Sequence, residues 1–161
     1  MTSCFARVAA VAALIAILSP GGVVGAVETH SHGDPAGGVQ GLTLDHGRKW
    51  QTDAPLRAGM AGIRNDMAAA LGPIHAKRYS AGDYDALAGS VTQRIDAIAR
   101  DCRLPEATDA QLHLVLAEII DGVEVMRGRS PDRSLGAAGV VGALDRYQAH
   151  FDHPGWQPVG H

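Results

Sequence analysis

From Trp50 onward the chain repeats one pattern four times: large apolar residues return every three or four positions, and no stretch alternates as a strand would. The first run carries Leu56, Met60, Ile63, Met67, Leu71 and Ile74. The second carries Tyr84, Leu87, Val91, Ile95 and Ile98, and the third Leu112, Val115, Leu116, Ile119, Val123 and Met126. The fourth starts at Ser130-Pro131 or at Ser134 and reaches Phe151. Each run makes one apolar stripe on a helix of period 3.6, and such a stripe has to be buried against another element. Helices of this length extend about 30 Å. Short links join the second to the third and the third to the fourth, which favours antiparallel neighbours. The expected fold is all-α, an antiparallel up-down-up-down four-helix bundle.

Local signals set the helix ends. Thr52 or Asp53 opens the first helix, with Pro55 tolerated in the opening turn, and Gly72-Pro73 ends or kinks it. Ser80 with Asp83 reads as a capping box for the second, which runs out near Arg100–Cys102 ahead of Leu104-Pro105. Thr108-x-x-Gln111 reads as the start of the third, and Gly128 follows its end. Gly136, Gly139 and Gly142 lie inside the fourth, where they weaken the helix but permit a close neighbour. His153 precedes Pro154 and is pushed out of helical geometry.

The chain opens MTSCFARVAAVAALIAILSPGGVVGA, with Arg7, an apolar run from Val8 to Leu18 and small residues at Gly25 and Ala26. This predicts a secretory signal peptide over 1–26, cut after Ala26, and a periplasmic or secreted protein. The apolar run is too short for an ordinary span and no later segment approaches twenty apolar residues, so the mature form is expected to carry no membrane segment. Cys4 precedes the apolar run, is not placed as a lipoprotein cysteine, and leaves with the signal. Residues 27–49, rich in Gly and small polar residues, are expected to form a flexible arm that docks through Leu42 and Leu44. The helical domain takes 50–156 and a short tail 157–161. About 135 mature residues suit one domain. Removing Arg7 from a chain of 14 Lys and Arg and 17 Asp and Glu leaves it more acidic, with no basic run, which argues against nucleic acid as a partner.

Only Cys102 of the two cysteines then remains, so no intramolecular disulfide is expected and the thiol needs another purpose. In an up-down-up-down bundle the start of the first helix, the end of the second, the start of the third and the end of the fourth meet. Trp50 and Met60, Cys102, His113, and His150 with His153 arrive there. Met60 lies about 10 Å below its helix start and His113 about 6 Å below its own, and both lean back toward the shared end. One thiolate, two imidazoles and a thioether are the ligands of a mononuclear type-1 copper site. The expected site is Cys102, His113, His153 and Met60, with His150 as substitute for His153. Electron transfer or copper handling, with a redox or metal-delivery protein as partner, is the corresponding role, and zinc suits the same ligands.

Other readings stand beside it. Cys102 as a buried small hydrophobe or an intermolecular disulfide, His113 and His150 as boundary residues, and Met60 and Met67 as core are the bland assignments. A b-type haem held by Met60 or Met67 with His150 is the second cofactor reading, without Cys-x-x-Cys-His for covalent attachment. A metal-free interaction or sensor domain is the third, with Glu118, Asp121 and Glu124 as an acidic face. His30 and His32 form a pair on the arm that suits Cu(II) or Zn(II). No nucleophile with a base, no purposeful carboxylate pair and no phosphate loop is present, so an enzyme is not expected.

The segments "GLTLDHGRKWQTDAPLRAGM", "DCRLPEATDAQLHLVLAEI" and "YQAHFDHPGW" resemble the recurring segments of a largely uncharacterised family of small secreted proteobacterial proteins, some labelled DnrO-like. The resemblance covers most of the mature chain. It implies a periplasmic helical protein in which Cys102, His113 and His153 fall within the matching segments.

Overall fold

The computed structural model describes residues 41–160. The expected signal peptide, the His30/His32 pair and the first part of the arm lie outside them. In chain order the elements are β1 (Trp50–Gln51), α1 (Ala54–His75), α2 (Ala81–Asp101), α3 (Glu106–Glu124), a π-helical turn (Val125–Arg129), α4 (Ser134–His150) and β2 (Phe151–Asp152). The described chain is thus four helices with one two-residue parallel ladder, in which Trp50 pairs with Phe151 and Gln51 with Asp152.

The apolar stripes are the core. Leu56, Met60, Ile63 and Met67 of α1, Val91 and Ile98 of α2, Leu112 and Ile119 of α3, and Val140, Leu144 and Tyr147 of α4 are almost wholly shielded from solvent. α1 packs chiefly along α2, and α3 along α4. Glycine brings each pair close. A Cβ on Gly59 would run into the Ile98 side chain across the α1–α2 contact, and a Cβ on Gly122 would lie 2.7 Å from the Gly136 carbonyl oxygen across α3–α4. Of the three α4 glycines, therefore, only Gly136 sits at a tight crossing. Gly139 meets one atom at 3.9 Å, and Gly142 meets none within 4 Å.

Helix ends follow their local chemistry. The Asp53 carboxylate caps α1, accepting from Leu56 N at 2.8 Å, and Pro55 stands in the first turn. The Ser80–Asp83 capping box of α2 is complete in both directions. α3 departs from expectation: it begins at Glu106 after Pro105, two residues before Thr108. Glu106 and Asp109 place carboxylates in the first turn, where the helix dipole favours them. Thr108 is buried within that turn, and Gln111, also buried, bonds elsewhere, its Oε1 accepting from Thr43 N at 2.8 Å. α1 passes Gly72-Pro73 and ends at His75, with Ala76 N donating to the Gly72 carbonyl at 3.1 Å.

The segment before β1 is held in place. Asp45 and Arg48 exchange backbone hydrogen bonds at 2.8 and 2.9 Å, and Trp50 Nε1 donates to the Thr43 carbonyl at 2.6 Å. Leu42 packs on the core, as expected of it, whereas Leu44 is 42% exposed. At the other terminus Arg64 Nε and Nη2 donate to the Gln157 and Pro158 carbonyls at 2.9 and 3.1 Å, and Val159 is buried. The residues after Trp156 therefore complete the core.

Side-chain hydrogen bonds gather helix ends. The second Asp53 carboxylate oxygen accepts from Arg103 N at 2.6 Å, tying the start of α1 to the end of α2. Thr52 Oγ1 donates to the Asp152 carbonyl at 2.5 Å, adding the end of α4. Opposite them, Arg133 Nη1 donates to the Met126 carbonyl at 2.8 Å and to Asp85 Oδ1 at 2.6 Å. Asp53→Ala removes a helix cap and a helix-to-helix bond together, and a loss of about 2 kcal/mol is expected in urea unfolding followed by circular dichroism. Asp53→Asn keeps one acceptor oxygen for the cap but sets an amide NH2 against the Arg103 N–H, so its loss should fall between those of the wild type and Asp53→Ala.

Candidate functional site

Two regions of the surface compete. The first is the end where Asp53, Arg103 and Asp152 meet, which the ligand inventory singles out. Cys102 is the C-cap of α2 and is completely buried. It is not a free thiol but a half-cystine. That bonded state belongs to the full chain, whereas the expected lone thiol belongs to the chain cut after Ala26; the chain's other cysteine, Cys4, lies outside the described residues. A disulfide sulfur has no thiolate to give a metal, so Cys102 is not a ligand in this oxidation state.

The remaining expected ligands have partners of their own. Met60 is fully buried in the core, as is Met67. His113, one turn after Asp109, has Nδ1 3.7 Å from that carboxylate. Burial raises the Asp109 carboxyl above its ordinary range while His113 pulls it down. The other Asp109 oxygen is buried with no hydrogen-bond partner among the described residues. His150 Nδ1 bonds the Arg146 carbonyl at 2.8 Å in the last turn of α4.

His153 lies in the strap after β2, edge-on to the Tyr147 ring and 4.9 Å, centroid to centroid, from Trp156. Its Nδ1 is 3.0 Å from the Tyr147 hydroxyl. Burial raises the Tyr147 phenol well above its ordinary value, against the pull of Arg57. Burial, reinforced by Arg57, lowers the His153 imidazole, against the opposing effect of Asp152. A phenol that keeps its proton thus meets a neutral imidazole, and the Nε2–H tautomer of His153 is the one in which Tyr147 donates and Nδ1 accepts. Among the described residues no group of three or more His, Cys, Asp or Glu side chains is arranged to hold a metal ion.

The acidic face of α3 is also engaged. Glu118 pairs with Arg146, Asp121 with Arg129 at 3.1 Å, and Glu124 with Arg127 at 3.0 Å.

The second region has no signal in the sequence. A cleft of about 760 Å³ opens between the last turns of α1 and the length of α4. Leu71 and Ile74 face it from α1, and Ala137, Ala138, Val141 and Gly142 from α4. Its cause is side-chain size. Leu71 and Ile74 continue the α1 stripe, but α4 answers with alanine and glycine, and the space is left open. Tyr79 and Tyr84 wall one side, their rings perpendicular with centroids 4.8 Å apart. Burial raises both phenols above their ordinary value, helped by the charge of Asp83 at Tyr79 and of Asp132 at Tyr84. Lys77 and His75 stand on the α1 rim, and Asp132, Ser134 and Asp145 on the α4 rim. Asp132 Oδ1 also accepts from Ser134 N at 3.0 Å, which steadies the first turn of α4. An apolar floor with a few polar groups at its edge, at this volume, has the form of a small-ligand site.

Among the described residues no helix is long and apolar enough to cross a membrane. No family model matches the chain, and comparison with curated proteins and with solved structures finds no match.

Proposed function

We propose that the protein is a periplasmic up-down-up-down four-helix bundle that works as a metal-free sensor or binding domain, taking a small ligand in the cleft between α1 and α4. The cleft itself is the observation that carries this reading. Two large apolar side chains, Leu71 and Ile74, stay partly exposed there on an otherwise buried stripe, and a bound apolar group would recover the hydrophobic stabilisation they forgo. Export rests on the leader-like sequence of residues 1–26, and the small secreted helical proteins that the chain resembles fit the same picture. The test is a neutral fluorophore, N-phenyl-1-naphthylamine, added to the wild type and to Gly142→Trp. A Cβ at Gly142 meets nothing within 4 Å, so the indole has room to fill the cleft without disturbing the helix. Enhancement in the wild type that is lost in a folded Gly142→Trp is the expected result. Equal enhancement in both, or none in either, overturns the reading.

A second reading remains copper at Cys102, His113, His153 and Met60, with His150 as substitute, for electron transfer or copper handling. It is favoured by the gathering of helix ends through Asp53 and Thr52. Because it requires a thiolate, it belongs to the reduced full chain or to the chain after loss of residues 1–26, in which Cys102 is the one cysteine. Cu(II) added to the oxidised protein is expected to give no strong thiolate-to-copper band in the visible. If the protein reduced and then freed of reductant gives none that Cys102→Ser lacks, the copper reading is removed, and a Soret band on purification would move the case to haem.

A further inference from the structure

The cleft also carries information about the charge of its occupant. Tyr79 and Tyr84, set at 82° to each other, form two sides of an aromatic corner, and neither hydroxyl makes a hydrogen bond within the described residues. Aromatic faces at right angles beside a carboxylate are the arrangement that holds alkylammonium groups, because the ring quadrupole and the anion attract the same charge. Burial raises both phenols, and the charge of Asp132 at Tyr84 and of Asp83 at Tyr79 adds to it, which places a carboxylate near each ring. Lys77 is the opposing cation, on the α1 rim. The Asp85 carboxylate nearby is balanced by Arg133 at 2.6 Å.

Resting on the cleft reading, we propose that the ligand is an organic ammonium ion with an apolar body, its head in the Tyr79–Tyr84–Asp132 corner and its tail along Leu71, Ile74 and Val141. A carboxylate head would meet Asp132 at the α4 rim. A neutral head would gain nothing from the corner beyond contact. The proposal assigns Asp132 two roles, accepting from Ser134 at the start of α4 through one oxygen and facing the ligand with its charge.

Three probes separate the ligand class from the cleft itself: hexyltrimethylammonium, neutral 1-heptanol and anionic heptanoate, which share an apolar tail and differ in head charge. Each is titrated into the purified protein while the backbone amide signals of Ala138 and Gly142 are followed by nuclear magnetic resonance. The cation is expected to bind at least tenfold more tightly than either of the others. Asp132→Asn, which can still accept from Ser134 because asparagine keeps the acceptor oxygen, should weaken the cation about fivefold by the loss of charge attraction and leave heptanol unchanged. If heptanol or heptanoate shifts the same amides at equal or lower concentration, the ammonium assignment is wrong while the cleft reading stands. The ammonium assignment is equally wrong if Asp132→Asn leaves the cation's affinity untouched. If no probe shifts Ala138 or Gly142, both readings fall together.

Discussion

Gly136→Ala is expected to destabilise the domain by about 2 to 3 kcal/mol, although alanine is the better helix former. The added methyl would lie 2.7 Å from Met126 N and closer still to the Gly122 carbonyl oxygen. These are backbone atoms, so no rotamer change relieves the contact. α3 and α4 must part along the seam where they pack, losing dispersion contacts on both sides. Gly122→Ala should behave alike, since its methyl would meet Gly136 O and the Val140 side chain, each at 2.7 Å. Gly142→Ala is the internal control. Its methyl enters open space, so only helix propensity acts, and a gain of about 0.5 to 1 kcal/mol is expected. Urea unfolding of the three variants, followed by circular dichroism, checks the opposite signs. Equal shifts for Gly136→Ala and Gly142→Ala would show that α3 and α4 are not packed as described.

That contrast also marks where sequence reading stops. The spacing "GAAGVVGAL" exposes three glycines of equal standing, and nothing in one dimension says which one meets another backbone. The same limit explains the cleft. Periodicity places Leu71 and Ile74 on the apolar face of α1, but burial depends on the bulk of the opposing side chains, here Ala137, Ala138 and Gly142. Caps are legible where they are local: Asp53 with Pro55, and Ser80 with Asp83, act within one turn. Thr108-x-x-Gln111 has the same local form, yet Gln111 bonds Thr43, sixty-eight residues away, and Pro105 starts the helix earlier. A motif of four residues cannot report a partner at that distance. Tyr147 and His153 are near neighbours in the sequence, and His153 reads as a ligand there because its type allows it. What holds it instead is the Tyr147 hydroxyl, 3.0 Å from its Nδ1, on a ring that burial fixes in the core. Cys102 is a different case: its bonded state belongs to the full chain, and the oxidation state expected of it belongs to the chain cut after Ala26.

Tyr147 carries the second large effect, and substitutions there separate a ring from a hydroxyl. The side chain is wholly buried. Phe151 stacks on it with centroids 5.1 Å apart, and Trp156 lies tilted at the same distance. Tyr147→Ala opens a cavity beneath the strap that carries His153 and Trp156, and should cost about 3 to 5 kcal/mol. Tryptophan emission should shift to the red as Trp156 loses its packing. Tyr147→Phe keeps the ring and removes only the donor to His153 Nδ1, for about 1 kcal/mol. The acid limb of the stability curve then isolates the imidazole. Folding lowers the His153 pKa, so the unfolded chain binds the extra proton. The contribution is complete above the unfolded value of 6.5 and declines as pH falls through it toward the lower folded value. His153→Gln should flatten that limb at pH values where carboxylates remain ionised, whereas Tyr147→Phe should leave it sloping, because burial, the leading cause of the lowered value, persists when the hydroxyl is gone. A limb that flattens in Tyr147→Phe would instead assign the shift to the hydrogen bond, and the strap would then be held by that one proton.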